Sequence, residues 1–208
     1  MNIILILIHV LLTGDVKTND RLQFSDAHAI SGVGERSRAP IHTDAIEHLI
    51  VLNELTPPTN GEAVETPNGE RTWTAVEFDE EGVLESPKLN GGYVHAMVNA
   101  PASGPMILRA KGHSLVYVNG APKAGDPYAR GTMPLPVMLN EGPNSFVFRV
   151  GRGRLQAQLE KIPTRSDQSA QPLGFTRLDD TLPDVVVNVP IDVLASVVVA
   201  NYTNEWTG

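Results

Sequence analysis

Apolar and polar residues alternate in four short runs between positions 106 and 154. A period of two is the pattern of a β-strand, because successive side chains leave opposite faces of the pleated backbone. Each run ends at residues rich in Gly, Pro or Asn, so the stretch predicts antiparallel strands joined by turns. The apolar residues expected on the inward faces are Leu108, Ala110, Val116, Val118, Leu135, Val137, Leu139, Phe146, Phe148 and Val150.

Two turns and a pair of prolines refine this prediction. Asn119-Gly120 favours a type I′ hairpin, because both central residues of that turn have positive φ. A second reversal is predicted at residues 140–144. Pro134 and Pro136 cannot donate hydrogen bonds to a neighbouring strand, so we expect their strand at a sheet edge or at a bulge.

The alternation continues on both sides of this stretch. Residues 72–78, 91–99 and 155–162 predict three more strands, so a β domain is expected over residues 71–162. Strands that are apolar on one face bury that face by packing in two layers. The sequence therefore predicts an all-β fold, an antiparallel β-sandwich.

The residues before the β domain predict an exported chain. The apolar run within residues 1–14 is too short for a bilayer span, which needs about 20 residues. It fits the hydrophobic region of a signal peptide, so a secreted, periplasmic or cell-envelope location is expected, and a buried strand is the alternative. Residues 15–70 predict a linker with a short helix at 41–55, capped by Thr43 or Asp44.

The residues after the β domain change character twice. Residues 163–180 are polar and predict a linker. Residues 181–208 are rich in valine and predict the strands of a second β domain that is truncated at Gly208. Two strands alone are marginal in water, so the alternative is that they rejoin the first sheet.

Composition narrows the classes of function. The chain has no cysteine, which excludes disulfides, thiolate zinc sites and cysteine nucleophiles. Its formal net charge of −8 argues against a nucleic-acid partner, because phosphate binding needs clustered Lys and Arg.

The sequence offers few candidates for catalysis or metal binding. His42 and His48 would lie about 240° apart around a helix, so a surface or capping role is favoured over metal ligation. Residues 79–82 (Asp-Glu-Glu-Gly) predict a turn with solvated carboxylates; calcium is the alternative, and no other cofactor is expected. The residues around Ser114 lack the second glycine of a nucleophile elbow. No catalytic constellation is evident, and this leaves enzymatic activity open.

The series of strands and turns in the β domain resembles the galactose-binding-like jelly-roll domain. Such domains precede or flank the catalytic domains of many secreted glycoside hydrolases. More loosely, the chain resembles the N-terminal region of secreted bacterial hydrolases of the α/β-hydrolase or prolyl-oligopeptidase type. The resemblance is carried by residues 108–112, Val116-Tyr117-Val118-Asn119-Gly120, Gly125-Asp126-Pro127-Tyr128, residues 135–139, Gly142-x-Asn144 and Phe146-x-Phe148.

The resemblance implies a jelly-roll topology and ligand binding by loops at one end of the sandwich. In that family, aromatic faces stack on sugars and carboxylates bind their hydroxyls. It implies that the binding residues are Asp126, Tyr128 and Arg130. Trp73 and Tyr93 are second choices, since packing explains them equally well. Docking of the loop against a neighbouring domain is the alternative.

We therefore expect a non-catalytic accessory β-sandwich of an exported hydrolase, with a structural or carbohydrate-binding role. Its expected partners are a carbohydrate and a downstream catalytic domain. The alternative is a stand-alone adhesion or interaction protein of the cell envelope.

Overall fold

In a computed structural model of the chain, residues 21–34, 44–131 and 134–161 are described in full, and two later strands by their backbone. The elements in chain order are β1 (Arg21–Leu22), β2 (Ser25–Ser31), α1 (Ala45–Val51), β3 (Ala63–Val64), β4 (Arg71–Thr72), β5 (Thr74–Val76), β6 (Val83–Glu85), a 3-10 turn (Pro87–Leu89), β7 (Gly92–Ala100), β8 (Gly104–Lys111), β9 (His113–Val118), β10 (Ala121–Ala124), β11 (Pro134–Leu139), β12 (Gly142–Val150), β13 (Arg154–Lys161), β14 (Leu173–Thr181) and β15 (Ser196–Asn201).

Strands β6 to β13 form a sandwich of two antiparallel sheets. Sheet A has the order β6-β13-β8-β11, and sheet B has the order β10-β9-β12-β7. Successive strands cross from one sheet to the other, except at the β9–β10 hairpin. This is the strand order of a jelly roll, so the predicted all-β sandwich is confirmed.

The N-terminal region adds three strands to this sandwich. β2 pairs with β7 and β5 pairs with β2, which extends sheet B, while β1 pairs with β13 in sheet A. β1 and β2 lie in the predicted linker, where no strand was predicted. The inward residues of β2 are Ala27 and Ala29, so its local apolar pattern is weak. Its strand conformation depends on pairing with β7, as β-propensity commonly does on context.

The main core lies between sheets A and B. Every residue predicted to face inward is buried there, and Phe24 packs edge-on against Phe146 with ring centroids 5.2 Å apart. The correct assignment follows from the period of two, which fixes all faces of a strand once one face is buried. Further core residues from both sheets are Ala29, Leu84, Leu89, Val94, Val98, Ala100, Met106, Leu155, Ala157 and Leu159.

A second apolar cluster lies on the outer face of sheet B, under α1. Ile46 of the helix is fully buried there against Tyr93 and Val147 of the sheet. Asp44 caps the helix, since its Oδ1 accepts from the backbone N of Ile46 and of Glu47, both at 3.1 Å. The helix and its cap are confirmed, although the helix is shorter than predicted at both ends.

The turn and edge predictions are also confirmed. Asn119 and Gly120 have φ of 49° and 83°, as a type I′ hairpin between β9 and β10 requires. The strand with Pro134 and Pro136 is β11, which lies at the edge of sheet A.

The later part of the chain contains one antiparallel pair, β14 with β15. β14 falls in the second half of the predicted linker, where no strand was predicted. The predicted signal peptide, and the strand predicted just after residue 181, lie outside the described residues. Within the described residues, no helix has the length and apolar character needed to cross a bilayer.

Candidate functional site

The loop between β10 and β11 is folded around Asp126. This residue is buried, and its Oδ2 accepts a hydrogen bond from the backbone N of Gly131 at 2.6 Å. Its backbone O accepts from the N of Ala129 at 3.1 Å and from the N of Gly112 at 3.0 Å. The side chain therefore closes the loop over residues 126–131, and the backbone ties it to the β8–β9 turn.

Tyr128 and Arg130 are displayed on the outer surface of this loop. The Tyr128 side chain is 70% exposed, more than any other aromatic side chain among the described residues. The guanidinium carbon of Arg130 lies 5.6 Å from the centre of the Tyr128 ring, within cation–π range. The three residues predicted for this loop thus lie together, with Asp126 as the buried anchor and the other two as the exposed pair.

A small cavity lies beneath the loop, lined by Asp126 and His113 with Leu108 and Leu135. Its volume of about 10 Å³ is the space of about one water molecule, so it cannot hold a sugar. His113 is buried, and its Nδ1 has no hydrogen-bond partner among the described residues. Burial lowers the pKa of His113 to about 4, although the charge of Asp126 acts in the opposite direction.

Trp73 and Tyr93 are core residues. Each is 1% exposed, and both belong to the cluster under α1. Neither ring has an exposed face on which a sugar could stack. We therefore leave both out of the candidate site, which then consists of the 126–131 loop.

The acidic turn is closed by its own carboxylate. Asp79 Oδ1 accepts from the backbone N of Glu81 at 2.9 Å and of Val83 at 2.8 Å. Within the described ranges, no three His, Asp or Glu side chains are grouped as metal ligands. The calcium alternative therefore gains no support from the turn geometry. His42 lies outside the described residues.

A contact between a serine and a histidine in sheet B was not predicted. Ser145 Oγ lies 3.0 Å from His95 Nε2, on the outer faces of β12 and β7. A catalytic triad needs an acid on the other ring nitrogen, but His95 Nδ1 is buried without a partner among the described residues. Burial, followed by the charge of His28, lowers the pKa of His95 to about 4. The contact is therefore explained by packing, and it does not form a triad.

A second polar cluster was also not predicted, and it joins α1 to sheet B. The hydroxyl of Tyr93 donates to Asp44 Oδ2 at 2.9 Å, and the hydroxyl of Tyr117 donates to Glu47 Oε1 at 3.3 Å. Arg149 lies 3.8 Å from Asp44 and 3.7 Å from Glu47. Burial, then the nearby carboxylates, raises the pKa of both tyrosines, so both hydroxyls remain donors. The only sequence signal was Asp44 as the helix cap.

Comparisons with family models, with curated proteins and with solved structures find no match to this chain. Its function is therefore argued from the geometry of its own residues.

Proposed function

We propose that this chain is a non-catalytic jelly-roll module that binds carbohydrate through the 126–131 loop and serves an exported hydrolase as an accessory part. The observation that carries the proposal is the exposed Tyr128 ring with Arg130 beside it, on a loop held by the buried Asp126. An exposed ring fixed in this way offers its face to the C–H groups of a sugar, and the guanidinium offers donors to its oxygens.

The shape of the loop surface, one exposed ring without an enclosing pocket, predicts weak binding. One aromatic contact contributes about 1 kcal/mol beyond the area that it buries, and the cavity beneath the loop cannot enclose a ligand. Binding is then expected at about millimolar Kd for a short oligosaccharide. A repeating polysaccharide would be retained more strongly, because several modules or repeats can engage at once.

The test is binding of the purified chain to a panel of immobilised plant and bacterial polysaccharides. Tyr128→Ala is expected to abolish retention, whereas Tyr128→Phe keeps the ring and is expected to retain it within a few fold. Met138→Ala is the matched control, because Met138 is also exposed, at 58%, but lies on β11. Retention that survives Tyr128→Ala would contradict the loop assignment.

The accessory role needs a separate test. Sequencing the gene beyond the codon for Gly208 shows whether a catalytic domain follows in the same reading frame. A downstream catalytic domain would support the accessory role, and a stop codon would favour the stand-alone alternative.

One observation favours that alternative, an adhesion or interaction protein of the cell envelope. Val51 and Leu52 at the end of α1 are 75% and 50% exposed, and exposed neighbouring apolar side chains are typical of protein contacts. The alternative predicts that the chain binds envelope preparations and that Val51→Glu with Leu52→Glu abolishes this binding. Binding that depends on Tyr128 instead would exclude the helix as the contact surface.

A further inference from the structure

The end of the sandwich that carries Tyr128 also collects positive charge from four neighbouring connections. Besides the 126–131 loop, these are the β8–β9 turn, the β12–β13 turn and the segment between β6 and β7. Each contributes a cation, and the group of four is called the basic rim here. Its members are Lys88, Lys111, Arg130 and Arg152.

Backbone contacts show that these connections adjoin one another. The Lys111 side chain runs past the loop, since its Cδ lies 3.5 Å from where a Cβ on Gly131 would stand. Gly112 N donates to Asp126 O, which joins the β8–β9 turn to the loop. Ser86 N donates to Gly153 O at 3.0 Å, which joins the β12–β13 turn to the segment that contains Lys88.

The acids at this end are already engaged. Asp126 is buried and accepts from Gly131, and Glu85 pairs with Arg154 at 2.8 Å. Asp44 and Glu47 contact Arg149 and the two tyrosines under α1.

The basic rim itself is not neutralised in the described part of the chain. Among these residues, no acid lies within ion-pair distance of any of its four cations, although the Lys88 ammonium donates to Thr74 Oγ1 on β5 at 3.0 Å. The rim is therefore a local excess of positive charge on a chain whose formal net charge is −8. The Lys111 side chain lies against the loop that carries Arg130, well within the Debye length of about 8 Å at physiological salt, so these two charges act together on a ligand.

We infer that the basic rim selects acidic carbohydrate, a uronate or sulfate polymer, over neutral carbohydrate. The inference rests on the proposed function, because it names the ligand class of the same surface. A uronic acid places a carboxylate on the edge of the sugar ring, so a ring stacked on Tyr128 would bring that carboxylate to Arg130. A guanidinium can bind a carboxylate through two parallel hydrogen bonds, and Lys111 adds a second cation beside the loop.

The same features argue against nucleic acid as the occupant. Single strands bind along a basic groove with several aromatic side chains, on which successive bases stack. Among the described residues, Tyr128 is the one aromatic residue that is largely exposed.

The test compares oligogalacturonate with a neutral galacto-oligosaccharide of equal length, both titrated into the full chain by calorimetry. We expect the acidic ligand to bind about 10-fold more tightly at low salt, and the preference to shrink as salt rises from about 50 to about 200 mM. Lys111→Gln should remove most of the preference and leave neutral binding within about twofold, because Lys111 lies beside the loop and takes no part in the proposed contact with neutral sugar. Lys161→Gln, a similar charge change at the far end of β13, should leave the preference intact.

Each of the other possible results would contradict one specific part of the proposal. Equal binding of both sugars would overturn the inference and leave the proposed function standing. Binding of neither sugar would overturn the proposed function itself. Equal binding of single-stranded DNA of matched charge would overturn the selection for sugar. A preference that is unchanged in Lys111→Gln would place the selecting charge elsewhere and overturn the basic rim.

Discussion

The connections between strands differ at the two ends of the sandwich. At one end, called the closed end, the β9–β10 hairpin and the 140–144 turn are joined by the side chain of Asn144. That side chain is fully buried and makes four hydrogen bonds, to the side chain of Asn119, to both backbone groups of Asn140 and to the O of Gly142, at 2.8 to 3.0 Å. At the other, open end, Nδ1 of the buried His113 has no hydrogen-bond partner among the described residues, and the loop above it displays Tyr128.

This difference suggests that the closed end contributes to stability and that the open end is available for binding. Buried polar groups that are all satisfied stabilise a turn and leave little there for a ligand to gain. An unsatisfied buried group, a small cavity and exposed charge lower local stability, and they are common where proteins bind ligands. We therefore expect substitutions at the closed end to act on folding, and those on the open surface to act on binding.

The largest effect that we predict at the open end is a loss of stability in acid. The pKa of His113 is lowered to about 4 in the folded state from 6.5 in the unfolded chain, so the unfolded state takes up its proton first. The contribution of His113 to stability is therefore complete above about pH 6.5 and is lost as the pH drops towards 4. This one group accounts for about 3 kcal/mol over that window. We expect His113→Leu to remove this share of the pH dependence of the free energy of unfolding. The measurement is urea denaturation at a series of pH values.

Leu135→Ala is the control for that experiment. Leu135 lines the same cavity but does not titrate, so its loss should lower the free energy of unfolding by a similar amount at each pH. His95 is lowered to about 4 as well and contributes its own share in every variant. A slope that is unchanged in His113→Leu would show that His113 has no part in acid sensitivity.

The next largest effect is expected at the closed end. Asn144→Ala removes the amide that satisfies groups from two turns, and we expect a loss of about 2 kcal/mol in the free energy of unfolding. Asn140→Ala is the matched control, because the network uses only the backbone of Asn140 and its own side chain is exposed. Equal losses in the two variants would contradict the network as the source of stability.

The closed end also shows which features of the fold can be predicted from the sequence and which cannot. Asn119-Gly120 fixes a turn through local backbone preference, so it was predictable. The bonds of Asn144 to Asn119 join residues distant in sequence, so no local pattern indicates them. The same limit applies to β2, whose small residues become a strand only beside β7.

At the open end, the sequence indicated which loop residues could bind a ligand, but it did not indicate which aromatic side chains are buried. A loop bracketed by Gly and Pro with Asp126, Tyr128 and Arg130 was a sound candidate. The aromatic residues Trp73 and Tyr93 were ambiguous, because burial under a helix depends on tertiary packing. The basic rim is assembled from four separate connections, and the sequence alone does not place them at one end.

The hairpin glycine gives a smaller test of the closed end. Gly120 has φ of 83°, and no atom lies within 4 Å of where its Cβ would stand. Gly120→Ala should therefore cost only the backbone penalty of about 1 kcal/mol. Gly104→Ala also adds a methyl group in open space, but without a left-handed φ, and should be close to neutral. A neutral Gly120→Ala would mean that the turn relaxes to another type.

The smallest change in stability is expected where the proposed change in binding is largest. Tyr128 is 70% exposed and its ring contacts Arg130, so Tyr128→Ala should alter the free energy of unfolding by less than about 0.5 kcal/mol. The measurement is urea denaturation of this variant beside Met138→Ala, whose lost side chain is similarly exposed. A loss above about 1 kcal/mol would mean that the ring supports the loop instead of being displayed by it. The open end would then be a second structural turn, and the contrast between the two ends would fail.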